Sequence, residues 1–375
     1  MNIKRDIQDL VTSKLFKGRA VIIYGARQVG KTTLIKRIQD EYHLRSSYLD
    51  CDEPDIRESL FNKTSTQLKE LVGDSRLVLI DEAQRVKNIG ITLKLLIDNF
   101  PDVQIIATGS SSFELSNKIA EPLTGRKYEF QLYPFSLREL MQINTRKEIN
   151  RLLEVRIIKG MYPDVVINKS ESQYILKDIT RSYLYRDILQ FQTIRNPEVL
   201  NKLLQALALQ IGNEVSYNKL ANKLQIDKNT ISNYIDILEK AFIIFRLNPF
   251  SRNIRNELKK LRKIYFIDTG IRNTLINNLN PLDIRQDAGS LWENFLISER
   301  VKFLNNHGYF KNLYFWRTHQ QHEVDLIEKE SGNMHGYEFK INAKKNKVPK
   351  IFKDNYPGVK IDFIDMDNYM DFLGL

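Results

Sequence analysis

The chain has 375 residues, 42% of them hydrophobic, and carries 57 Lys and Arg against 46 Asp and Glu for a formal charge of +11. At roughly 100–200 residues per domain, that length is expected to hold two or three domains, each with its own core. No apolar run approaches the roughly 18 residues needed to cross a bilayer, and Met1-Asn2-Ile3-Lys4-Arg5-Asp6 lacks the apolar stretch of a signal peptide, so a cytoplasmic protein with no membrane span is expected. The single cysteine, Cys51, excludes an intramolecular disulfide and fits a reducing compartment. The basic excess favours polyanionic partners through counterion release, although a Lys- and Asn-rich genome produces the same balance.

From residue 18 to about 135, apolar strand-like runs alternate with amphipathic helical segments, the pattern of a parallel sheet covered by helices. The first strand candidate, Ala20–Tyr24, runs into Gly25-Ala26-Arg27-Gln28-Val29-Gly30-Lys31-Thr32-Thr33 and a helix over Thr32–Tyr42. Strand, G-x-x-x-x-G-K-T and helix together predict a phosphate-binding loop. Its glycines open backbone conformations that turn successive N–H groups inward, Lys31 reaches the β- and γ-phosphates of ATP, and the Thr32 hydroxyl holds Mg²⁺. A strand at Ser46–Leu49 and a helix at Thr66–Val72 follow. The apolar strand Leu77–Ile80 ends in Asp81-Glu82. Taken as parallel and adjacent to the first strand, it places Asp81 to orient Mg²⁺ and Glu82 to act as the base that polarises the attacking water. Acids capping a helix start are the plainer alternative. After a helix at Ile91–Asn99, the strand Val103–Ala107 leads into Thr108-Gly109-Ser110-Ser111-Ser112, where Ser110 is the expected γ-phosphate sensor and a hydroxyl-rich turn the alternative.

Beyond Pro134 the pattern turns helical, at Leu137–Met141, Glu148–Lys159 and Ser172–Leu189, interrupted by Gly160-Met161-Tyr162-Pro163. Around residues 197–247 a compact unit of three helices resembles a winged helix-turn-helix. Leu203, Leu204, Leu207 and Ile211 share one face of its first helix, Ser216 caps the second, and Asp227-Lys228-Asn229-Thr230 leads into a third that carries Ile231, Tyr234, Ile235 and Leu238. Arg252 to Lys263, with six basic residues and the one acid Glu257, stands where a wing would touch phosphate. Docking of a protein is the alternative use of such a module.

After Ile264–Ile267 comes a last α/β section: a helix near Ser290–Leu304, then strands Leu313–Trp316, Glu323–Glu328 and Gly336–Ile341, with Ser331-Gly332-Asn333 as a turn. The period of two puts Glu338 and Lys340 on one face, hairpin pairing brings Asp325 beside them, and Glu293 on the preceding helix can point at the same spot. Alternating charge on a solvated strand is the plain reading of E-x-K. Lys344, Lys345, Lys347, Lys350 and Lys353 follow, to track a phosphate backbone or simply to solubilise a loop. A zinc site at His319, His322 and His335 is not expected, because no thiol accompanies them and the spacing of His319 and His322 splays them to opposite strand faces.

The succession GARQVGKTT, LVLIDEAQ, ATGSSS and LTGRKYEFQLYPFS resembles a prokaryotic AAA-type P-loop ATPase family whose members carry a C-terminal domain of unknown function. That resemblance implies an ATPase core over residues 1–144, a helical linker and winged helix over 145–262, and a nuclease-like α/β domain over 263–375. It also makes Arg126, in Leu123-Thr124-Gly125-Arg126, the arginine that neutralises transition-state charge, with pairing to an acid such as Glu129 as the alternative; Arg186 has a weaker claim. The C-terminal frame looks like the PD-(D/E)xK nuclease type. By that likeness Asp325 and Glu338 are ligands for Mg²⁺, Glu293 is an auxiliary ligand, and Lys340 positions water and stabilises developing charge. The expected function is ATP hydrolysis coupled to action on DNA. The alternative is an ATP-controlled switch that binds a protein or DNA partner without cutting it. A homo-oligomer is compatible with either, and a small-molecule kinase is not expected, since Glu82 directly after Asp81 favours water as nucleophile.

Overall fold

The computed structural model describes residues 3–110, 115, 118–182, 196–251, 261–318, 320–341 and 348–375. Ser111, Ser112, Arg186, most of the expected wing (252–260), His319, Lys344, Lys345 and Lys347 lie outside the described residues. The chain divides into two compact units, one of residues 4–134 with 240–242, the other of 1–3, 135–239 and 243–375.

In the first unit, strands β1 (Ala20–Tyr24), β2 (Ser46–Asp50), β3 (Leu77–Asp81), β4 (Gln104–Gly109) and β5 (Lys127–Gln131) form a parallel sheet in the order β2-β3-β4-β1-β5. Every residue of β1, β3 and β4 is buried, as expected of central parallel strands covered on both faces. Helix Lys31–Tyr42 turns Leu34, Ile35 and Ile38 inward, and helix Ser65–Val72 begins at a capping box in which Thr64 and Gln67 bond each other's backbone. The expected adjacency of the Asp81 strand to β1 is corrected here: β4 lies between them. The chain returns from β3 through helix Ile89–Asn99 and inserts its next strand into the gap, so the carboxyl end of β4 stands between the phosphate loop and the acids. A helix at Pro54–Leu60 and the strand β5 complete the unit; neither was expected, since β5 reads Lys-Tyr-Glu-Phe-Gln and lacks a continuous apolar run.

The second unit opens with helices Leu137–Leu140, Arg146–Lys159, Pro163–Ile167 and Ser172–Ser182. Helices Pro197–Ala208, Tyr217–Leu224 and Lys228–Lys240 follow, accompanied by β6 (Glu214–Val215), β7 (Ile244–Pro249) and β8 (Arg262–Phe266). Ser216 accepts the Lys219 N–H at 3.3 Å and Asp227 accepts that of Thr230 at 2.9 Å, so both expected helix starts carry side-chain caps. With β9 (Asn312–Arg317), β10 (Glu323–Glu330), β11 (Asn333–Phe339) and β12 (Lys360–Ile364), these strands make one sheet ordered β12-β11-β10-β9-β7-β8-β6. Helix Ala288–Asn306 packs along it with Leu291, Trp292, Phe295 and Leu296 buried. The β10–β11 hairpin turns through Ser331 and Gly332, both at positive φ, the geometry that suits a two-residue turn between twisted strands. On one side Phe250, Trp316, Val324, Ile327 and Phe352 form an apolar cluster.

Candidate functional site

The phosphate loop leaves β1 with Gln28 at φ 60° and Gly30 at φ 96°, and helix Lys31–Tyr42 starts at the next residue. Gly25 has no room for a side chain, since a Cβ there would lie 2.4 Å from the Leu132 carbonyl oxygen. Arg5, buried, clamps the loop from outside the motif: its guanidinium donates to the carbonyls of Val29 and Tyr133, each at 2.6 Å. Lys31 folds across the loop, donating to the carbonyls of Gly25 at 3.0 Å and Ala26 at 3.1 Å, and stands 3.4 Å from a Glu82 carboxylate oxygen.

The acids of β3 meet this loop despite the intervening strand. Asp81, buried, accepts the Thr32 hydroxyl at 2.6 Å, the Tyr48 hydroxyl at 2.9 Å and the Thr108 hydroxyl. Thr108 in turn accepts the Glu82 N–H at 3.0 Å, so a residue of β4 joins the two acids. Three hydroxyl donors on one carboxylate keep it fixed without a cation. Burial raises the Tyr48 hydroxyl far above its ordinary value, with Asp81 adding to the push, so this donor stays protonated. Burial likewise pushes the Cys51 thiol up to about 12, which fits an inert packed side chain rather than a nucleophile. Glu82 adopts φ 51°, a conformation that strains a residue with a side chain and that turns β3 sharply into the short turn Ala83–Arg85. Its second oxygen accepts the Gln84 amide at 2.5 Å, and the same Gln84 amide donates to Ser110 at 3.0 Å. Base candidate and sensor candidate are thereby joined through one carboxamide, and Lys31 joins them through Glu82. Thr32 and Asp81 present adjacent hard oxygens, a donor set that fits Mg²⁺.

Arg126 is not brought to this site. Its carbonyl accepts the Ala20 N–H at 3.0 Å, at the start of β1, whereas the loop leaves the other end of that strand. Five strand residues separate the two edges, about 16 Å at 3.3 Å per residue. Its partner is Asp98, at 2.8 Å, rather than Glu129.

In the second unit, Asn294 clamps helix Ala288–Asn306 to β8, accepting the Phe266 N–H at 2.9 Å and donating to its carbonyl at 2.7 Å. That clamp holds Glu293 over the Lys263 and Tyr265 side chains, which share a face of β8 by the period of two. Lys263 pairs with Glu293 at 2.9 Å and also with Glu323, and the Tyr265 hydroxyl donates to the same Glu293 oxygen at 2.5 Å. The hairpin register Leu326↔Tyr337 sets Asp325 opposite Glu338, as expected. Asp325 accepts the Phe339 N–H at 2.8 Å, and Lys340 lies 3.2 Å from Glu338. Burial pushes Glu338 up to about 7, with Asp325 adding to the push and Lys340 opposing it. Burial also takes Glu293 to about 7, against the pull of Lys263 and with a further push from Asp325.

Glu293, Asp325, Glu338 and Lys340 are thus gathered in one region, but Glu293 is spent on Lys263 and Tyr265. Among the described residues no group of three or more His, Cys, Asp or Glu side chains is arranged to hold a metal ion. His335 pairs with Asp362 at 2.7 Å. Lys263, Tyr265 and Glu323 were missed by sequence reasoning, as were Arg5, Tyr48, Thr108 and Gln84. The available signal was a lysine inside the apolar run Lys263-Ile264-Tyr265-Phe266, which can be buried only against acids.

Comparison with known proteins agrees with the nucleotide site. Residues 17–141 match an AAA domain, residues 150–282 match a domain of unknown function (DUF8612), and residues 288–364 match a domain of unknown function (DUF4143). An uncharacterized protein of Methanocaldococcus jannaschii is 28% identical over 97% of this chain and 84% of its own length. One of Mycobacterium tuberculosis is 27% identical over 90% and 74%, and one of Haemophilus influenzae 25% identical over 67% and 68%. A chain from the Drosophila ORC bound to AT-rich DNA and Cdc6 superposes with a TM-score of 0.26 at 9% identity, covering 72% of this chain and 92% of that one. The AAA match and the parallel sheet of five strands support a P-loop nucleotide-hydrolysing domain. No helix among the described residues is long and apolar enough to cross a membrane.

Proposed function

We propose that this chain hydrolyses ATP with Mg²⁺ and uses the cycle to govern a DNA-contacting module and a nuclease-like C-terminal region. The observation that carries the first half is the convergence of Thr32, Asp81, Glu82 and Lys31 at the mouth of the phosphate loop. Backbone N–H groups of residues 25–33 hold the phosphates, Lys31 leaves the loop carbonyls for them, and Thr32 with Asp81 holds the cation. Mg²⁺ when bound neutralises phosphate charge. Glu82 takes the proton of the attacking water, and Ser110 reads the γ-phosphate. Glu82→Gln keeps the shape and removes the base: ATP binding should persist while turnover falls at least about 100-fold. Normal turnover in that variant would mean that the base lies elsewhere.

Arg126 can neutralise transition-state charge only when presented by a second copy of the chain, so the reading includes a nucleotide-dependent homo-oligomer. The three helices from Pro197 to Lys240 with strands β6, β7 and β8 support a winged-helix reading, and their exposed Lys219, Lys223 and Lys228 favour DNA as its partner. For the C-terminal region, Asp325, Glu338, Lys340 and Glu293 suggest descent from a PD-(D/E)xK nuclease frame with Asp325 and Glu338 as its metal ligands. The pairing of Glu293 with Lys263 favours the second reading of that region, a switch that holds DNA or a protein partner without cutting it.

A further inference from the structure

We infer that Lys263 is the resident cation of the C-terminal carboxylate cluster and excludes a divalent metal from it, an inference that rests on the nuclease-like reading of that region. The nuclease frame calls for a metal among Glu293, Asp325 and Glu338, and the residues present do not fit one. The Lys263 side chain is 1% exposed and its ammonium lies among the acids, hydrogen-bonded to Glu293 at 2.9 Å and ion-paired with Glu323. The Glu293 bond uses one of its three protons, Glu323 adds a second negative charge beside it, and the aromatic face of Phe315, 5.6 Å away, covers another side of it. Glu293 is already engaged by this cation and its neighbour. One of its oxygens holds both Lys263 and Tyr265.

Asp325 feels the same ammonium. Its charge and that of Lys340 oppose the burial that pushes the Asp325 carboxyl up, so two lysines serve the acids that a divalent ion would otherwise serve. Lys340 is the lysine that the E-x-K pattern supplies. Lys263 arrives from a different strand, β8, and is additional to it. A buried ammonium with carboxylate partners stays charged, so its electrostatic opposition to a second cation is permanent.

The test is a Mn²⁺ titration of the full chain without nucleotide, followed by the paramagnetic resonance of free Mn²⁺, on wild type, Asp325→Asn, Lys263→Met and Lys263→Met/Asp325→Asn. The expected result is that wild type and Asp325→Asn take up Mn²⁺ identically, while Lys263→Met gains one further ion that the double variant loses. A wild-type site that Asp325→Asn abolishes would overturn the inference, and so would a folded Lys263→Met chain that gains nothing. Should Lys263→Met not fold, Lys263→Gln, which keeps a polar head without the charge, takes its place with the same two outcomes. Neither result touches the ATP site, whose failure shows separately as turnover in Glu82→Gln.

Discussion

In the proposed mechanism Gln84 is a positioning residue that acts on Glu82 and Ser110. Its amide nitrogen reaches both Glu82 and Ser110, and its own backbone carbonyl accepts the Lys118 ammonium. A carboxylate free to swing would spend part of its time away from the water it activates, whereas one held by a carboxamide is placed beforehand. Gln84→Ala is therefore expected to lower kcat for ATP by about ten-fold with little change in KM, because the loop that binds phosphate is untouched. Gln84→Asn, one methylene shorter, should recover little, since it cannot span Glu82 and Ser110 together. Steady-state hydrolysis measured over ATP concentration checks this, and an unchanged kcat in Gln84→Ala would remove Gln84 from the mechanism. Sequence reasoning singled out Lys31, Thr32, Asp81, Glu82 and Ser110, because each sits at a strand end or in a spaced motif, and the structure brings them near one another. Arg5, Tyr48 and Thr108 bear on the same site through tertiary contact alone, and their sequence neighbourhoods carry no spacing that marks them.

At the scale of elements, Asp287 joins three of them. It precedes helix Ala288–Asn306 and, instead of capping it, accepts bonds from Arg272 of helix Thr269–Leu275 and from Arg285, which follows the short turn Leu282–Ile284. Both guanidiniums are buried and bond further to the Ala208 and Asn278 carbonyls, so removal of the carboxylate leaves two positive charges facing each other. Burial pushes the Asp287 carboxyl up, but the bonds and charges of Arg285 and Arg272 outweigh it and hold it at about 2. A folded pKa below the unfolded one means stability present above the ordinary Asp value of about 4 and lost as pH falls through about 2. Discounted for the part of the carboxylate that faces solvent, the contribution is about 1 kcal/mol. Wild type should lose that much between pH 4 and pH 2 relative to Asp287→Asn, whose denaturation midpoint will be lower at neutral pH and flatter in acid; parallel pH profiles would show that the network adds no linkage. The longer helices were legible at this scale because their apolar spacing and caps are local, whereas the short ones at Pro54–Leu60, Pro163–Ile167 and Thr269–Leu275 were not. The order of the sheet was not, since inserting β4 between β1 and β3 depends on packing among strands far apart in sequence.

For the whole molecule, the formal charge of +11 gains meaning only where it is concentrated. Lys219 and Lys223 on helix Tyr217–Leu224 and Lys228 at the start of helix Lys228–Lys240 are exposed, interleaved with exposed Asn218, Asn222, Asn229 and Asn233. The acid in this stretch, Asp227, is bonded to Thr230, while Asp236 and Glu239 further along are matched by Arg246. Asn229 and Asn233 are four apart and so share a helix face, and asparagine is a side chain that pairs with adenine edges in a major groove. Lysines would neutralise phosphates beside it, each releasing counterions. On a DNA duplex, therefore, the variant Lys219→Ala/Lys223→Ala/Lys228→Ala should show a log–log dependence of affinity on salt shallower by about 2.7, three contacts at about 0.9 each. Asn229→Ala should weaken binding without altering that slope, because its amide would read bases rather than phosphates. Fluorescence anisotropy with a labelled duplex across salt concentrations separates the two. If the triple variant keeps the wild-type slope, the basic character of this chain is compositional, and the three-helix module serves a protein partner instead.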